Sequence, residues 1–502
     1  MSTTFHSTRG NDEALTGRQA IRQGLAGDGG LFVSDGLGDR QVDVAPMVGQ
    51  PYQAIARRVL GVLLPDFSAT ELDACVRAAY GAQWLDPAIT PLKPLGDDYI
   101  LELFNGPTSA FKDVALQILP QFMARTASGD GNPAGDAAAR EKVMVLTATS
   151  GDTGKAALAG FADTAGTGIT VFYPEGKVSE VQRLQMTTQA GSNVSVCAVR
   201  GNFDDAQSAV KRIFGDRDLA ARLEDGNHVS LSSANSINVG RLVPQVVYYF
   251  SAYAQLVGRG AIEAGDEVEF VVPTGNFGDI LAGYYAKRLG LPVGRLTVAS
   301  DRNNVLFDFL TTGTYDRERP FFETTSPSMD ILVSSNLERM LYYFSDGDTD
   351  LVRGLMDDLR GKGSFSVPDA LLRRIRTLFS CGWADEGQVS RAIADCWKRN
   401  RYVIDPHTAC GYHVMAHAPR QAGMPRVLLS TASPYKFPRV VCWALGLTTT
   451  GTDFECMDRL AEASGTKAPG NLRGLEHATE RHTHVIDIAG MADYVRNASL
   501  RL

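Results

Sequence analysis

The sequence predicts an α/β protein in which doubly wound, mostly parallel sheets follow a leading helical region. Three observations support this prediction. The chain has 502 residues, which is more than a single hydrophobic core usually spans, so several domains are expected. From Tyr99 onward, short apolar segments alternate with helix-like segments, as is typical of parallel sheets covered by helices. Residues 1–95 contain mainly helical patterns instead.

The composition is that of an ordinary globular protein, and the net charge makes some classes of binding partner less expected than others. Apolar residues make up 44% of the chain and charged residues 21%. A net charge of -8 argues against nucleic acid as the main partner, although a local positive pocket can still bind a small anion. No signal peptide and no membrane span are expected. The seven cysteines are scattered without a C-x-x-C pair, which favours reduced thiols and a cytoplasmic location.

The predicted elements follow in order along the chain. In the leading region, helices are predicted at 12–23, 51–60 and 69–80, with a glycine-rich turn and a short strand near 27–33. A loop is predicted at 126–141. The predicted strands of the α/β region lie at 99–104, 143–147, 168–173, 193–199, 267–272, 296–300 and 426–430. Residues 301–345 are irregular and polar.

Lys112 is the first candidate for chemistry. It follows the bulky Phe111 where a turn enters an apolar helix, a place where the lysine is expected to be partly desolvated. Desolvation disfavours the ammonium form and lowers the pKa. The free amine attacks aldehydes, so this lysine can hold pyridoxal phosphate (PLP) as a Schiff base. The alternative is a solvated surface lysine, which is the commoner case.

A glycine turn supplies a candidate phosphate site. Between a predicted apolar strand and a predicted helix lie Gly275, Asn276, Phe277, Gly278 and Asp279. The glycines allow several backbone N–H groups to converge, and the start of the helix adds partial positive charge. An ordinary strand-to-helix turn is the alternative.

A second turn has the same architecture and suits a carboxylate. The segment 147–155 contains Ser150, Asp152 and Thr153. It is not a nucleotide-binding P-loop, because Thr149 stands where the first glycine is required and Ala156 stands where a Ser or Thr is required. Hydroxyl and N–H groups in this turn can bind a carboxylate, or the turn is purely structural.

A third segment carries polar groups at a spacing of three residues. On a helix, Asn235, Asn238 and Arg241 lie roughly along one face. Two amides and a guanidinium can bind a cluster of anionic oxygens. Without further context, helix capping by Ser or Asn together with a solvated arginine explains the pattern better.

Two shorter segments complete the set. Thr431 and Ser433 follow a predicted strand, where a hydroxyl can hydrogen-bond to a pyridine nitrogen or simply form part of a turn. Asp405 and His407 stand beside a proline. No second His or Cys lies at a convincing zinc-ligand spacing, so no metal is expected.

Taken together, these segments resemble the threonine synthase family of PLP enzymes, in the fold type II group that also includes the tryptophan synthase β subunit. The matching stretches occur in family order over nearly the whole chain, at residues 7–10, 106–113, 147–154, 235–241, 275–279 and 405–409. The resemblance implies two doubly wound α/β domains plus an N-terminal mainly helical domain. The N-terminal domain would comprise residues 1–95, the large PLP-binding domain residues 96–125 and 232–502, and the small mobile domain residues 126–231.

The resemblance also implies roles for individual residues. Lys112 would form the Schiff base, and the cofactor phosphate would be surrounded by Gly275, Asn276, Phe277, Gly278 and Asp279. Thr431 would meet the pyridine nitrogen, with Ser430 and Ser433 as alternatives. The substrate would be bound by Ser150, Asp152 and Thr153 at its carboxylate and by Asn238 and Arg241 at its phosphate.

The implied reaction converts O-phospho-L-homoserine and water to L-threonine and phosphate by PLP-dependent β,γ-elimination and replacement. The enzyme would be a carbon–oxygen lyase, cytoplasmic, a monomer or homodimer, with no nucleic-acid or membrane partner. Three alternatives remain: a related PLP-dependent phospho-lyase, a hydroxy-amino-acid dehydratase, and a non-catalytic protein that uses the fold for binding.

Overall fold

The structure is a computed structural model that describes residues 4–11, 13–126, 142–149 and 151–502. Most of the loop predicted at 126–141 therefore lies outside the described residues. The N-terminal region contains β1 (Phe5–Ser7), α1 (Gly17–Gln23), β2 (Phe32–Ser34), α2 (Tyr52–Leu63) and α3 (Ala69–Ala79).

The first helix begins later than the sequence pattern predicted. The predicted start was residue 12, whereas α1 begins at Gly17. The side chain of Thr16 accepts a hydrogen bond from the backbone of Gln19, and the Gln19 side chain accepts one from the backbone of Thr16. This capping box fixes the start of the helix by satisfying N–H groups that have no partner within it.

Strands and helices then alternate along the chain. Residues 92–233 form β3 (Leu92–Leu95), β4 (Asp98–Glu102), α4 (Lys112–Leu116), α5 (Leu119–Thr126), β5 (Lys142–Ala148), α6 (Asp152–Phe161), β6 (Thr167–Pro174), α7 (Glu180–Thr187), β7 (Val194–Arg200), α8 (Phe203–Gly215), α9 (Arg217–Asn227) and β8 (Val229–Ser233).

The second half of the chain begins with a long helix. Residues 239–400 form α10 (Val239–Gly258), β9 (Val268–Pro273), α11 (Gly278–Arg288), β10 (Val293–Ser300), α12 (Val305–Thr312), β11 (Thr314–Asp316), α13 (Leu337–Phe344), α14 (Thr349–Lys362), β12 (Ser364–Ser366), α15 (Asp369–Ile375), β13 (Phe379–Trp383) and α16 (Glu386–Asn400). The remaining elements are α17 (Pro406–His417), β14 (Arg426–Ser430), α18 (Pro438–Ala444), α19 (Asp453–Ser464), α20 (Gly470–Arg473), β15 (Val485–Asp487) and α21 (Met491–Ser499).

The larger sheet brings together three segments predicted to carry chemistry. Its strand order is β13-β10-β9-β14-β4-β3, and all neighbours are parallel except β3 with β4. Strands β9, β14 and β4 are adjacent. In an open α/β sheet, ligands bind beyond the carboxyl ends of the strands. The glycine turn after β9 and Thr431 after β14 therefore lie at one edge of the sheet, where the segment after β4 carries Lys112.

The smaller sheet includes a strand from near the C-terminus. Its order is β15-β7-β6-β5-β8, and all pairs are parallel. The predicted division placed all of residues 232–502 in the large domain, whereas β15, which lies in this range, pairs with β7 of the smaller sheet. Helix α21 also packs into the core of the smaller sheet through Met491 and Val495. A three-residue edge strand is too short to show a recognisable alternating pattern.

The N-terminal region packs against the larger sheet through a continuous hydrophobic core. Helix α2 contacts α10, and side chains of both helices belong to the same cluster of buried residues. Thr8 and Arg9 also donate hydrogen bonds to the carboxylate of Glu338 in α13. In the described ranges, none of the helices has the length and apolar character that a bilayer crossing requires.

Candidate active site

Lys112 begins helix α4 and is buried, as predicted, with 9% of its surface exposed. The N–H of Phe111 donates to the carbonyl oxygen of Thr431 at 2.7 Å, which attaches the lysine turn to the segment after β14. Burial lowers the pKa of the Lys112 amine to about 8, although the carboxylate of Asp152 opposes this shift. The neutral, nucleophilic amine is therefore available near neutral pH.

The amine of Lys112 takes part in a hydrogen-bond network. Its Nζ donates to Ser328 Oγ at 3.0 Å, and Ser328 Oγ donates to Asp152 Oδ2 at 3.1 Å. The N–H of Ser328 in turn donates to Nε2 of His407 at 3.1 Å. The network joins helix α4, the start of helix α6 and the start of helix α17.

The glycine turn after β9 forms a tightly packed cradle. A Cβ on Gly275 would lie 3.0 Å from Cα of Met329, so a side chain there would require this neighbouring backbone to move by a few tenths of an ångström. Phe277 is the N-cap of α11 and has a φ of 63°, a conformation that residues other than glycine rarely adopt. The first N–H groups of α11 have no acceptor within the helix, so they can bind an anion.

Side chains of the same turn hold its shape. Asn276 accepts hydrogen bonds from the Ser335 hydroxyl and from the backbone of Asn336. The Asp279 carboxylate accepts from the hydroxyl of Thr274 and from the N–H of the following residue. Burial raises the pKa of Asp279 to about 6. These contacts occupy acceptor oxygens of Asn276 and Asp279, so the donors that the turn can offer to a phosphate are its backbone N–H groups and the side-chain amide of Asn276.

The lysine and the glycine turn converge on two consecutive residues. Ser328 contacts the amine of Lys112, and Met329 lies against Gly275. Both belong to the segment between β11 and α13, whose later residue Ser334 also donates to the Gly275 carbonyl at 2.7 Å. The segment between β11 and α13 therefore contacts both Lys112, predicted to bind the aldehyde of the cofactor, and the glycine turn, predicted to bind its phosphate.

The three hydroxyls near the end of β14 differ in their hydrogen bonding. Ser430 Oγ lies 3.1 Å from the hydroxyl of Thr408, and Ser433 Oγ accepts from the N–H of Tyr435. Thr431 Oγ1 is buried and, within the described residues, has no hydrogen-bond partner. Buried polar groups are normally paired, so Thr431 is the hydroxyl most suited to a ligand.

Arg241 is a buried cation with an unused donor. It lies in the first turn of α10 and is 3% exposed. One of its terminal nitrogens donates to the carbonyl oxygen of Ala234 at 2.5 Å, whereas Nε has no partner in the described part of the chain. Burial lowers the pKa of this guanidinium to about 10. A buried guanidinium with a free N–H is well suited to an anionic group.

Asn238, which was predicted to share the substrate phosphate with Arg241, has structural contacts. Its side-chain oxygen accepts from the N–H of Gly240 at 2.9 Å, which caps helix α10. Its amide nitrogen donates to the carbonyl oxygens of Ile21 and Ser233. These contacts occupy the amide, and the assignment of Asn238 to substrate stays a prediction.

The turn that opens α6 contains the predicted carboxylate site. Ser150 lies outside the described residues. Asp152 is buried and its Oδ1 lies 2.7 Å from Nζ of Lys436. Burial alone would raise the pKa of this carboxyl, but the nearby lysines outweigh that effect and hold its pKa well below the usual range. An ionised Asp152 repels a second carboxylate, so the donors that the turn could offer to one are the first-turn N–H groups of Asp152 and half-buried Thr153; the carboxylate site stays a prediction.

Two residues of this network could not be predicted from the sequence. Ser328 lies in a segment that was described only as irregular and polar, and it belongs to no motif. Lys436 follows β14 and is 1% exposed, whereas lysines are almost never fully buried. A third residue, His407, was noticed for its sequence context but was given no role.

The donor groups fit pyridoxal phosphate. A buried amine of lowered pKa can bond to an aldehyde carbon, a glycine cradle at a helix start can bind a phosphate, and an unpaired buried hydroxyl can serve a ring nitrogen. The contacts described above place all three at one edge of the larger sheet.

Comparisons with known proteins identify the family to which the chain belongs. The family model described as "Pyridoxal-phosphate dependent enzyme" matches residues 90–430. The models "Threonine synthase N terminus" and "Threonine synthase, C-terminal" match residues 4–80 and 408–495. A curated threonine synthase from Pseudomonas aeruginosa is 39% identical over 87% of this chain and 89% of its own length. The chain belongs to the threonine synthase family.

Solved structures of threonine synthases resemble the whole chain. PLP-bound threonine synthase from Brucella melitensis is 36% identical, has a TM-score of 0.87 and aligns over 99% of this chain and 100% of its own. Threonine synthase from yeast is 32% identical with a TM-score of 0.85, over 99% and 98%. The human protein named Threonine synthase-like 1 is 39% identical over 85% of this chain, which spans 58% of that longer relative.

Proposed function

We propose that this member of the threonine synthase family converts O-phospho-L-homoserine and water to L-threonine and phosphate. The observation that carries the proposal is the convergence of the buried Lys112 amine, the Gly275–Gly278 turn and the unpaired Thr431 hydroxyl. The 39% identity to the Pseudomonas threonine synthase supports the same reaction.

Three groups of residues would hold pyridoxal phosphate. Lys112 would bond to its aldehyde carbon, backbone N–H groups from Gly275 to Asp279, including those of Asn276, Phe277 and Gly278, would bind its phosphate, and Thr431 would face its ring nitrogen. When bound, this cofactor accepts electron density and so stabilises negative charge at the carbon atoms from which protons are removed.

Lys112 would move the protons of the reaction. With substrate bound in the site, its amine would take the proton from Cα and later one from Cβ of the substrate. A base works best with a pKa near the working pH, and burial lowers the pKa of Lys112 to about 8. Phosphate would leave from Cγ, and water would supply the hydroxyl group at Cβ and the proton that the leaving phosphate takes up. The two protons removed earlier would be replaced by one at Cγ, which becomes the methyl group, and one at Cα.

Charged and dipolar groups would orient the substrate. Arg241 would bind the phosphate group, since its buried Nε lacks a partner among the described residues. The N–H groups at the start of α6, with Thr153 and Ser150, would bind the carboxylate. Asp152 would act through its ion pair with Lys436, which holds this turn beside Lys112.

The arrangement of the chain suggests how water is kept out. The smaller sheet and α6 would move against the larger sheet when substrate binds, because the site lies between them. We also propose a small-molecule substrate without nucleic-acid or membrane partners, a monomer or homodimer, and a cytoplasmic location.

The test is a product assay on the purified chain with PLP and O-phospho-L-homoserine. Phosphate and threonine are measured together, and we expect them in equal amounts. Phosphate without threonine would indicate a phospho-lyase instead. No turnover of this substrate, with turnover of serine or threonine, would indicate a dehydratase.

A pair of lysine variants makes the assay specific. Lys112→Ala should lose the visible absorption of bound cofactor and at least about a thousandfold of kcat, because it lacks both the linking amine and the base. Lys287→Met is the control, because that lysine lies in the last turn of α11 and donates to the carbonyl oxygen of Val293, at the start of β10. Full activity of Lys112→Ala would contradict the assignment.

A further inference from the structure

The segment that contains Asp405 and His407 has no role in the proposed reaction, yet both side chains are buried and hydrogen-bonded. Asp405 is the N-cap of α17 and is completely buried. Its carboxylate accepts from the backbone N–H groups of His407 and Thr408 and from the Thr408 hydroxyl. Four polar contacts with His407 and Thr408, including the ring contact below, therefore satisfy this buried carboxylate.

The contact with Asp405 determines which nitrogen of His407 carries a proton. Nδ1 of His407 lies 2.7 Å from Asp405 Oδ2. An ionised carboxylate only accepts hydrogen bonds, so Nδ1 carries the proton and Nε2 is an acceptor in the neutral ring. Nε2 accepts the backbone N–H of Ser328 at 3.1 Å, which is consistent with this tautomer.

Ser328 needs such an anchor because its segment has no helix or strand. Residues 317–336 connect β11 to α13, and a connection of this length has many conformations open to it. The bond to His407 fixes the backbone at Ser328. Two residues earlier, the buried Ser326 lies with its hydroxyl 3.7 Å from Sγ of Cys410, also in α17. Helix α17 thus holds the segment at two points.

The direction of the Ser328 hydrogen bonds follows from its partners. Asp152 is an ionised acceptor, so the Ser328 hydroxyl donates its proton to Asp152 at 3.1 Å. The oxygen lone pairs then face the amine of Lys112, which donates at 3.0 Å. One N–H of the lysine is therefore committed to Ser328, which limits the directions in which the amine lone pair can point.

We propose that Ser328 is a positioning residue for the Lys112 amine, held in place by the Asp405–His407 pair. The effect on turnover rests on the proposed function, in which Lys112 transfers the protons. The geometric effect concerns only the lysine and its neighbours. Ser328 touches the reacting amine but donates no proton to substrate in this proposal.

The charged groups around Lys112 determine how the pKa of its amine should change when the Ser328 hydroxyl is removed. Asp152 and Asp279 favour the ammonium, whereas Arg241 and Lys436 disfavour it. Ser328→Ala removes an acceptor that stabilises the ammonium form while these four groups stay in place. The amine should therefore lose its proton at lower pH, and it should also be held less rigidly.

The first measurement does not depend on turnover. The full chain in cofactor-free form is labelled with trace acetic anhydride across a pH series, and labelling of Lys112 is quantified by peptide mass spectrometry. In Ser328→Ala, the pH midpoint of labelling should fall by about half a pH unit or more. Ser326→Ala is the matched control, because its buried hydroxyl belongs to the same segment but does not contact Lys112; its midpoint should equal that of the native chain.

The second measurement uses the PLP-bound enzyme. Ser328→Ala should lower kcat about tenfold or more while KM changes less than about threefold, because substrate contacts remain and orientation of the base is lost. Ser328→Thr retains the hydroxyl and should recover most of kcat. His407→Leu removes the anchor without touching the lysine and should lower kcat in the same direction.

The outcomes separate this proposal from the proposed reaction. A Ser328→Ala chain with a native labelling midpoint and a kcat within about twofold of native would overturn the positioning role. Failure of the native chain to release phosphate from O-phosphohomoserine would instead overturn the reaction, and the labelling series would still decide the role of Ser328. A His407→Leu variant with native kcat would overturn the anchoring role.

Discussion

At the scale of single residues, the Thr431 hydroxyl is unusual because it is buried and, as far as the described residues show, unpaired. A buried hydroxyl without a partner loses its hydrogen bonds to water and gains none in return. It therefore does not stabilise the folded chain. In the proposed function, the ring nitrogen of the cofactor would complete this hydrogen bond.

This explanation predicts opposite effects on stability and on cofactor binding. Thr431→Val keeps the shape of the side chain, so the free energy of unfolding without cofactor should change by less than about 1 kcal/mol or should rise. The dissociation constant for PLP should increase about tenfold. Denaturant unfolding and a PLP titration measure the two quantities.

Thr408 provides the matched comparison for Thr431. Its buried hydroxyl donates to Asp405, so Thr408→Val should cost about 1–3 kcal/mol by leaving a carboxylate with one partner fewer. Equal destabilisation by the two substitutions would contradict a ligand-binding role for Thr431.

Residues in local motifs could be predicted from the sequence, and residues that meet only in the fold could not. Lys112 was found because a phenylalanine and an apolar helix surround it in the sequence. Ser328 reaches the same amine from 216 residues away, through a segment without periodicity. The burial of Lys436, which follows a strand of the larger sheet, likewise depends on Asp152, which lies between two strands of the smaller sheet.

At the scale of elements, the ion pair between Asp152 and Lys436 joins helix α6 to the segment after β14. Both side chains are almost completely buried, and their charged atoms are 2.7 Å apart. Lys436 also donates to the carbonyl oxygen of Thr108, in the turn before Lys112. The pair therefore ties the start of α6 to two segments of the larger sheet.

Removing one charge of the Asp152–Lys436 pair should lower the free energy of unfolding more than removing both charges. Lys436→Met leaves a buried carboxylate without its main counter-charge and should destabilise the chain by about 3–5 kcal/mol. The double variant Lys436→Met with Asp152→Asn should recover at least about 2 kcal/mol of this, because no unpaired charge remains. Urea unfolding of the four chains in this cycle measures the coupling.

An exposed pair gives the control for this cycle. Lys362 pairs with Asp358 on the surface of α14, and Lys362→Met should change stability by less than about 0.5 kcal/mol. If the double variant were no more stable than Lys436→Met alone, the ion pair would not be the source of the destabilisation.

Element types were easier to predict than element ends and partners. Alternating strands and helices were evident because buried parallel strands are short apolar runs. The start of α1 was missed because Thr16 and Gln19, rather than the apolar pattern, fix it. The neighbours of each strand were not predictable either, since no local property of β14 indicates that β4 and β9 flank it.

At the scale of the whole molecule, stability should depend on pH through a pair of buried acids. Asp301 follows β10, and burial together with the neighbouring carboxyl of Asp330 raises its pKa to about 8 from an ordinary value of 3.8. The hydroxyl of Thr324 contacts both carboxyls. The protonated form of Asp301 is thus the form that the folded chain favours.

The sign of the effect follows from proton binding. Between pH about 4 and 8 the folded chain holds a proton that the unfolded chain has released, so this contribution to stability is complete below pH about 4, declines across that range and is gone above pH about 8. We expect the free energy of unfolding to fall by at least about 2 kcal/mol from pH 5 to pH 9.

Asp301→Asn tests this expectation because an amide does not titrate. The variant should show a flatter dependence on pH and should exceed the native chain in stability at pH 9. Parallel curves for the two chains between pH 5 and pH 9 would contradict the role given to Asp301.

The position of β15 affects how the chain folds during synthesis. Strand β7 pairs with β15, and 287 residues separate Cys197 from His484, which contact each other beside this pairing. A growing polypeptide therefore presents the open edge of β7 long before its covering strand has emerged from the ribosome. Such an edge is a template for intermolecular association. Aggregation of nascent or truncated chains should begin there.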